Sequence, residues 1–323
     1  SDMWIFHWND WWLRKCLLEG RDPFYTTEMF HPDGVSLVYH NFAWLNTLVW
    51  LPLSPLVGHI AAYNIIFILN LALGGASAYI LAHYVVKDRY AAFIAGLVFC
   101  FWPFRLQHFN RPNLISIGWI PLFLLFLIRT VREYRKLRDG LLAGLFLGLT
   151  GLSRWLLLAM AGVLGGAYVV YSLICERRRW SWRAFGAVVL TVLTALLIVA
   201  PFATPMIVAQ IQGVGEAEGS IADRAEKGTD LVGYFVPERG HPVFERWLAE
   251  LWKRMSQESY IGYAALLLAI YGVFRARRRA VFWGLIAGGL FVFSLGGVLR
   301  VGGQVYRAPM PYSLIQPSLF ASV

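Results

Sequence analysis

Two carboxylates near the start of the chain are the first groups that could carry acid–base chemistry. Asp2 and Asp10 lie in a segment that also holds tryptophans at positions 4, 8, 11 and 12. A carboxylate can deprotonate an attacking hydroxyl, and one carboxylate is enough for a single-displacement, inverting transfer. Arg14 follows Asp10 by four residues and can pair with it on a helix, whereas Asp2 has no local partner. Asp2 is therefore the acid that helical pairing does not explain. Asp10 is a second acid candidate, for which we favour the Arg14 pair.

Arginines outside the main basic clusters are candidates for binding a phosphate, because the guanidinium fork matches phosphate oxygens. Arg105 and His108 share one short turn between apolar runs, and Arg154 separates two further runs. We take these three as phosphate or donor ligands. The alternatives are that the arginines reach lipid phosphates or pair with acids of loop 210–259, and that His108 is a packed residue of an aromatic turn. Secondary candidates are Arg111, Arg300 and Arg307.

Metal ligation has no clear pattern in the sequence. The seven histidines show no HExxH spacing, and the three cysteines form no CxxC pair. No metal site is predicted with certainty, and Asp2 is the residue that would hold a divalent cation if one is used.

The elements that must position these groups are long apolar runs. Hydrophobic residues make up 58% of the 323 residues and charged residues only 15%, which is more apolar surface than one soluble core can bury. The runs have the length that a bilayer imposes on helices. The sequence therefore predicts an all-α polytopic membrane protein. The predicted spanning helices are 59–85, 90–106, 112–130, 139–152, 153–174, 183–209, 260–274 and 279–297.

Three apolar segments depart from that pattern. The stretch 42–57 is short and contains Pro52 and Pro55, so a re-entrant or interfacial helix is expected. The segment 139–152 is also short, and with 153–174 it forms either a tight hairpin or one broken helix. The tryptophan-rich start of the chain is typical of a helix lying in the membrane interface.

Basic residues between the apolar runs predict which side each loop occupies. The chain has a net charge of +10, and its basic residues form short clusters rather than one charged face, which argues against nucleic-acid binding. By the positive-inside rule, these clusters lie on the cytoplasmic side. Residues 1–41, the turn 105–112, loop 210–259 and the tail 298–323 are then outside. The clusters are Lys87 and Arg89; Arg129, Arg132, Arg135, Lys136 and Arg138; Arg177, Arg178, Arg179 and Arg183; and Arg275, Arg277, Arg278 and Arg279.

The chain divides by these patterns into five regions. Loop 210–259 begins with glycines among acids and is expected to lack regular structure, which is typical of a lid or binding element. The start without Met favours a chain that continues beyond this sequence. The regions are a first outer loop 1–58, a helix bundle 59–209, the outer loop 210–259, two further helices 260–297 and an outer tail 298–323.

The sequence resembles the bacterial polyprenyl-phosphate-sugar-dependent membrane glycosyltransferases of the GT-C superfamily. Each matching piece is short, and the resemblance depends on their order and spacing through most of the chain. The pieces are Asp2 with Trp8-Asn9-Asp10-Trp11-Trp12, Asp22-Pro23-Phe24-Tyr25-Thr26, Phe30-His31-Pro32-Asp33-Gly34, His40, Ala62-Tyr63-Asn64, Pro103-Phe104-Arg105 with His108, Trp119-Ile120-Pro121-Leu122, Tyr234-Phe235-Val236-Pro237 with His241-Pro242, and Glu258-Ser259-Tyr260-Ile261-Gly262-Tyr263.

The resemblance implies a GT-C-like bundle with interfacial helices in the first outer loop. It implies that an acid at the position of Asp2 is the catalytic base, that the donor is a polyprenyl-phosphate-linked sugar, and that the acceptor is a lipid, glycan or protein. Some relatives use Mg²⁺ or Mn²⁺ and others use no ion. Asp10 departs from the family, which usually has an apolar residue there. The implied location is the bacterial cytoplasmic membrane, with the site on the outer side.

Two other functions fit a chain with many apolar helices. A lipid or solute transporter would place ionisable residues at mid-membrane depth. The predicted helix interiors hold few ionisable or other polar residues, chiefly His59, Asn64, Asn70 and His83. A non-catalytic membrane subunit of a larger complex would need no catalytic acid. Both stay open beside the glycosyltransferase hypothesis.

Overall fold

The computed structural model describes residues 3–108, 110–133, 137–176, 180–213, 228–237, 243–254, 259–276, 280–306 and 310. The chain divides into two compact units. Unit 1 comprises Ser1–Phe101 and Gln107–Glu216, and unit 2 comprises Trp102–Leu106 and Ala217–Val323.

Unit 1 is built almost wholly from helices. A two-stranded antiparallel hairpin, β1 (Tyr25–Thr26) and β2 (Val35–Ser36), follows the first helix. The helices are α1 (Met3–Glu19), α2 (Trp44–Val57), α3 (His59–Val86), α4 (Arg89–Cys100), α6 (Pro112–Ile115), α7 (Trp119–Glu133), α8 (Leu137–Ser153), α9 (Trp155–Cys175) and α10 (Trp182–Ile211).

Unit 2 begins with α5 (Pro103–Gln107), of which Pro103–Leu106 belong to the unit. A 3-10 helix (Leu231–Tyr234) and α11 (Glu245–Arg254) lie within loop 210–259, so these parts of it have regular structure. Its glycine-rich start, residues 214–227, lies outside the described residues. The unit continues with α12 (Tyr263–Ala276), α13 (Val281–Ser294) and the antiparallel hairpin of β3 (Leu299–Val301) and β4 (Gln304–Tyr306).

Five helical stretches in the described part of the chain are long and apolar enough to cross a membrane, and the all-α polytopic class is confirmed at that level. Other apolar helices are shorter than the roughly 20 residues that a full span needs: α2, α12 and α13 have 14 residues each. The five stretches are His59–Val86, Arg89–Gln107, Pro112–Glu133, Trp155–Cys175 and Trp182–Ile211.

The segment 139–152 forms a helix of its own. α8 and α9 are separate helices that meet at Arg154 and pack against each other, which is the hairpin rather than the broken helix. α2 keeps Pro52 and Pro55 inside its 14 residues, in line with a segment too short to span.

The closest helix packing in unit 1 joins α8 to α10 through glycines. A Cβ added to Gly140 would lie 2.6 Å from the backbone oxygen of Ala187, and one added to Gly144 would lie 2.5 Å from that of Thr191. The Thr191 hydroxyl also donates to the Gly140 carbonyl at 3.0 Å. Small residues allow helices in lipid to approach closely, and dispersion contacts then hold them together.

One end of unit 1 collects the charged helix ends that the basic clusters predicted to share a side. The Tyr84 hydroxyl donates to Glu133 at 2.8 Å, joining the ends of α3 and α7. Arg129 lies 3.5 Å from the Asp139 carboxylate at the start of α8. Arg132 lies 3.3 Å from Glu176 after α9. We call this the basic end.

The opposite end of unit 1 carries α1 and the residues that follow it. Trp12, Leu13 and Trp44 share one apolar cluster with Leu152 at the end of α8. The Trp12 indole also donates to the Pro23 carbonyl at 3.0 Å. Because α3 has 28 residues, its two ends are about 42 Å apart. We call this second end the α1 end.

In unit 2, a single buried carboxylate holds the β3–β4 hairpin. Asp230 is 1% exposed and accepts backbone hydrogen bonds from Val232, Gly302 and Gly303 at 2.7–2.9 Å. Hydrogen bonds to a charged acceptor are about twice as strong as neutral ones. Asp230 therefore has a structural role that sequence analysis did not identify.

The α8–α10 contact gives a test of the packing. Gly144→Ala should lower the free energy of unfolding by about 1–3 kcal/mol, because the added methyl group meets backbone rather than a movable side chain. The measurement is thermal unfolding of the purified protein in detergent.

Gly162 is the matched control, since a Cβ there would meet nothing within 4 Å. Gly162→Ala should be neutral or stabilising, because alanine has the higher helix propensity. Equal destabilisation by both variants would contradict the role given to Gly144.

Candidate functional site

Two of the sequence-predicted site residues, Asp2 and Arg307, lie outside the described residues. Met3, which follows Asp2, is half-buried and packs on a cluster that contains Phe6, Trp50 and Tyr63. The chain therefore enters α1 next to the first turns of α3.

Asp10 does not pair with Arg14, and the expectation that it would was wrong. Asp10 is 5% exposed, and its Oδ1 accepts a hydrogen bond of 2.6 Å from the hydroxyl of Thr47 on α2. Arg14 lines an open surface recess with Trp11 and Lys15 instead. The i, i+4 spacing places both side chains on neighbouring positions of a helix, but α1 buries Asp10 under α2 and leaves Arg14 at the surface.

Burial has a direct effect on the acidity of Asp10. Loss of solvent raises its pKa to about 7, although the hydrogen bond from Thr47 favours the charged form. Asp10 lies beside a cavity of about 10 Å³ that is also lined by Asn46, Tyr63 and Pro112. That volume is close to the space of one water molecule.

A polar network continues from Asp10 into the bundle. Asn46, next to Thr47 on α2, donates to the Ser116 hydroxyl at 2.9 Å. Asn70 of α3 donates to the Asn46 amide oxygen at 3.0 Å. These three residues are buried, and each has a partner, as burial away from water requires. The network ties α2, α3 and the end of α6 together.

His40 belongs to a second polar contact on α1. Its Nε2 lies 2.7 Å from the Oδ1 of Asn9, and the Asn9 amide donates to the Asn41 carbonyl at 3.3 Å. Burial lowers the pKa of His40, which favours the neutral imidazole. The contact fixes the loop after β2 on α1.

Tyr63 connects α1 to the segment before α6. The rings of His7 and Tyr63 have centroids 4.4 Å apart, and the Tyr63 hydroxyl donates to the Asn110 carbonyl at 3.3 Å. The pKa of His7 is lowered, first by burial and then by the charge of His59. Asn110 is followed directly by Arg111.

Arg111 and Arg154 are the two predicted phosphate ligands that the structure brings within electrostatic reach. Arg111 precedes α6, and Arg154 separates α8 from α9. The pKa of Arg154 is lowered by partial burial and then by the positive charge of Arg111. Among the described residues Arg154 has no acidic partner. Arg154 is therefore a partly buried cation at the α1 end, within electrostatic reach of a second cation.

The remaining predicted ligands have other surroundings. Arg105 is fully buried in α5, in the segment that belongs to unit 2. The stretch 105–112, predicted as one turn, includes the end of α5 and the first residue of α6. His108 is half-buried, and its carbonyl accepts from the Arg111 amide at 2.9 Å. Arg300 is half-buried on β3 of unit 2, where it pairs with Val305.

Metal binding has no ready site in the described part of the chain, where no group of three or more His, Cys, Asp or Glu side chains could hold an ion.

Comparison with known proteins places the chain in one family. Residues 19–319 match the family described as a domain of unknown function, DUF6311. The chain belongs to this family. No curated protein and no solved structure matches it. Arg111 and Arg154 lie inside the part that matches DUF6311, whereas Asp2 and Asp10 precede it.

The raised pKa of Asp10 predicts a pH dependence of stability. Because the folded pKa of about 7 exceeds the unfolded value, the folded state binds the proton more tightly, and stability falls as pH rises from about 4 through 7. Thermal unfolding should therefore give a melting temperature lower by several °C at pH 8 than at pH 5.5.

Asp10→Asn keeps the shape of the side chain and cannot ionise. It should melt higher than the unchanged protein at pH 8 and show a smaller difference between the two pH values. Identical pH profiles for both proteins would show that Asp10 does not titrate in this range.

Proposed function

We propose that the protein is an inverting glycosyltransferase of GT-C type that moves a sugar from a polyprenyl-phosphate carrier to an acceptor at the outer face of the membrane. The observation that carries this proposal is Arg154 itself, which is partly buried at the α1 end, lies within electrostatic reach of Arg111 and has no acidic partner among the described residues. A phosphate beside Arg154 would relieve its repulsion with Arg111 and use the donors of the Arg154 guanidinium group.

The position of the two arginines suits a donor that is dissolved in the membrane. α9 begins right after Arg154, and the stretch Pro112–Glu133 begins right after Arg111; both are candidate spans. Cations at the ends of spans lie at headgroup depth, where the phosphate of a polyprenyl carrier also lies. A soluble sugar nucleotide would not require this placement.

The basic end supports an assignment of the side of the membrane. Loops rich in Lys and Arg stay preferentially in the cytoplasm, and the ion pairs of Arg129 and Arg132 lie at that end. The α1 end is then the outer side. A lipid-linked sugar suits that side, because its transfer needs no soluble nucleotide donor.

The reaction requires two contributions from the protein, a base and a group that stabilises the leaving phosphate. A base takes the proton of the acceptor hydroxyl, whose oxygen attacks the anomeric carbon of the sugar as the bond from that carbon to the phosphate oxygen breaks. The polyprenyl phosphate leaves with the electron pair. We assign the base to Asp2 and the stabilisation of the leaving phosphate to Arg154 with Arg111. Asp10 is too enclosed to touch a substrate, and we assign it a supporting role under α2.

The proposal predicts that Asp2→Asn abolishes transfer. Loss of a general base costs about 10²–10⁴-fold in rate. The assay uses the purified protein in liposomes with a panel of radiolabelled polyprenyl-phosphate hexoses and a bacterial lipid extract as acceptor, and it measures label moved from the carrier.

Asp10→Asn is the matched acid control, and it should retain transfer at pH 7. Retained transfer in the Asp2 variant would overturn the assignment of the base. Absence of transfer and of carrier release by the unchanged protein, with every donor in the panel, would contradict the glycosyltransferase function.

A second prediction concerns the arginine pair. Arg154→Ala should lower kcat/KM for the lipid-linked donor about 10- to 100-fold, the loss expected when a charged hydrogen bond of about 1.5–3 kcal/mol is removed. Arg154→Lys should recover part of the loss, because it keeps the charge and loses the fork.

Arg14→Ala is the control at the same end of unit 1, since Arg14 lines only an open surface recess. Its kcat/KM should stay within twofold of the unchanged protein. An equal loss in both variants would indicate a general effect of surface charge and would contradict a phosphate site at Arg154.

A further inference from the structure

A groove of about 660 Å³ lies along α3 and α4 in unit 1. Both helices belong to candidate membrane spans, so the groove opens toward lipid. Its volume lies within the range of about 300–1,000 Å³ that is usual for sites that bind small molecules. The groove is remote from Arg154, because its lining residues on α3 begin only at Gly75 and continue toward the basic end.

The shape of the groove follows from its residues. Gly75 and Gly96 bring the two helices close together, and a Cβ on Gly96 would lie 2.8 Å from the Gly75 carbonyl oxygen. Ala76 adds no bulk, while Tyr79 and Phe93 form taller walls. The result is an open apolar groove along the two helices.

Arg89 gives the groove a charged end. It is the first residue of α4 and the one charged residue in the lining. Its Nη2 lies 3.4 Å from the Tyr90 hydroxyl, and among the described residues it has no acidic partner. The neighbouring acid, Asp88, uses its carboxylate to accept from the Ala91 amide at 2.7 Å.

We infer that this groove binds one anionic phospholipid of the leaflet at the basic end, with the lipid phosphate on Arg89 and an acyl chain between Tyr79 and Phe93. Charge complementarity selects this occupant. An apolar channel alone would accept any lipid tail, but a cation without an acid at its end favours a negative headgroup. The site is separate from the proposed glycosyl transfer, and its test needs no activity.

The test measures lipid binding directly. Delipidated protein in detergent is titrated with phosphatidylglycerol and, separately, with phosphatidylcholine, and bound lipids are counted by native mass spectrometry. One phosphatidylglycerol should bind more tightly than any phosphatidylcholine. A photoactivatable phosphatidylglycerol should leave its adduct on peptides of α3 and α4 that line the groove.

Two variants separate charge from shape. Arg89→Gln should weaken the binding of phosphatidylglycerol about fivefold, the effect expected for one basic residue at a membrane surface. Ala76→Phe should fill the groove and abolish the specific binding of phosphatidylglycerol. Their controls are Arg183→Gln at the exposed start of α10 and Ala159→Phe at an exposed position of α9, and both should bind as the unchanged protein does.

Other occupants would give different results. Equal binding of the two lipids, adducts spread evenly over the apolar helices, or equal losses in variants and controls would overturn the inference. So would a dimer that Ala76→Phe dissociates, because the groove would then hold a second copy. Tight binding of polyprenyl phosphate in place of phosphatidylglycerol would assign the groove to the carrier lipid and would also overturn it.

Discussion

Hydrocarbon offers no hydrogen-bond partners, and this constraint determines most of what unit 1 looks like. Backbone groups in the spans can be satisfied only within each helix, so the apolar runs become α3, α7, α9 and α10. Polar side chains that enter the bundle must find each other. The Ser116–Asn46–Asn70 network and the Asp10–Thr47 hydrogen bond meet that requirement, and they join elements that apolar packing alone would leave free to slide.

The sequence was informative where the signal is local. The apolar run predicted at 59–85 is the helix His59–Val86, and the run predicted at 183–209 is Trp182–Ile211, because length and hydropathy are properties of consecutive residues. The Asp10 partner could not be found in this way. Thr47 lies 37 residues further along the chain, and the local spacing rule pointed to Arg14 instead.

The same limit applies to the candidate site. The sequence predicted Arg105, His108 and Arg154 as phosphate ligands and gave Arg111 only as a secondary candidate, whereas the fold brings Arg111 within electrostatic reach of Arg154. A topology rule could predict that loops share a face, whereas only packing decides which arginines on that face meet. DUF6311 is a family of unknown function, so membership of it assigns no role to these arginines.

The lengths of α3 and α10 have a consequence for where the protein can work. At 28 and 30 residues, these helices are about 42 and 45 Å long, well beyond a hydrocarbon core of about 30 Å. They must tilt or project into the headgroup layer. The bilayer thickness therefore sets the height of the α1 end above the acyl chains. In a thick membrane the two arginines would sink toward the hydrocarbon, and in a thin one they would rise above the phosphates.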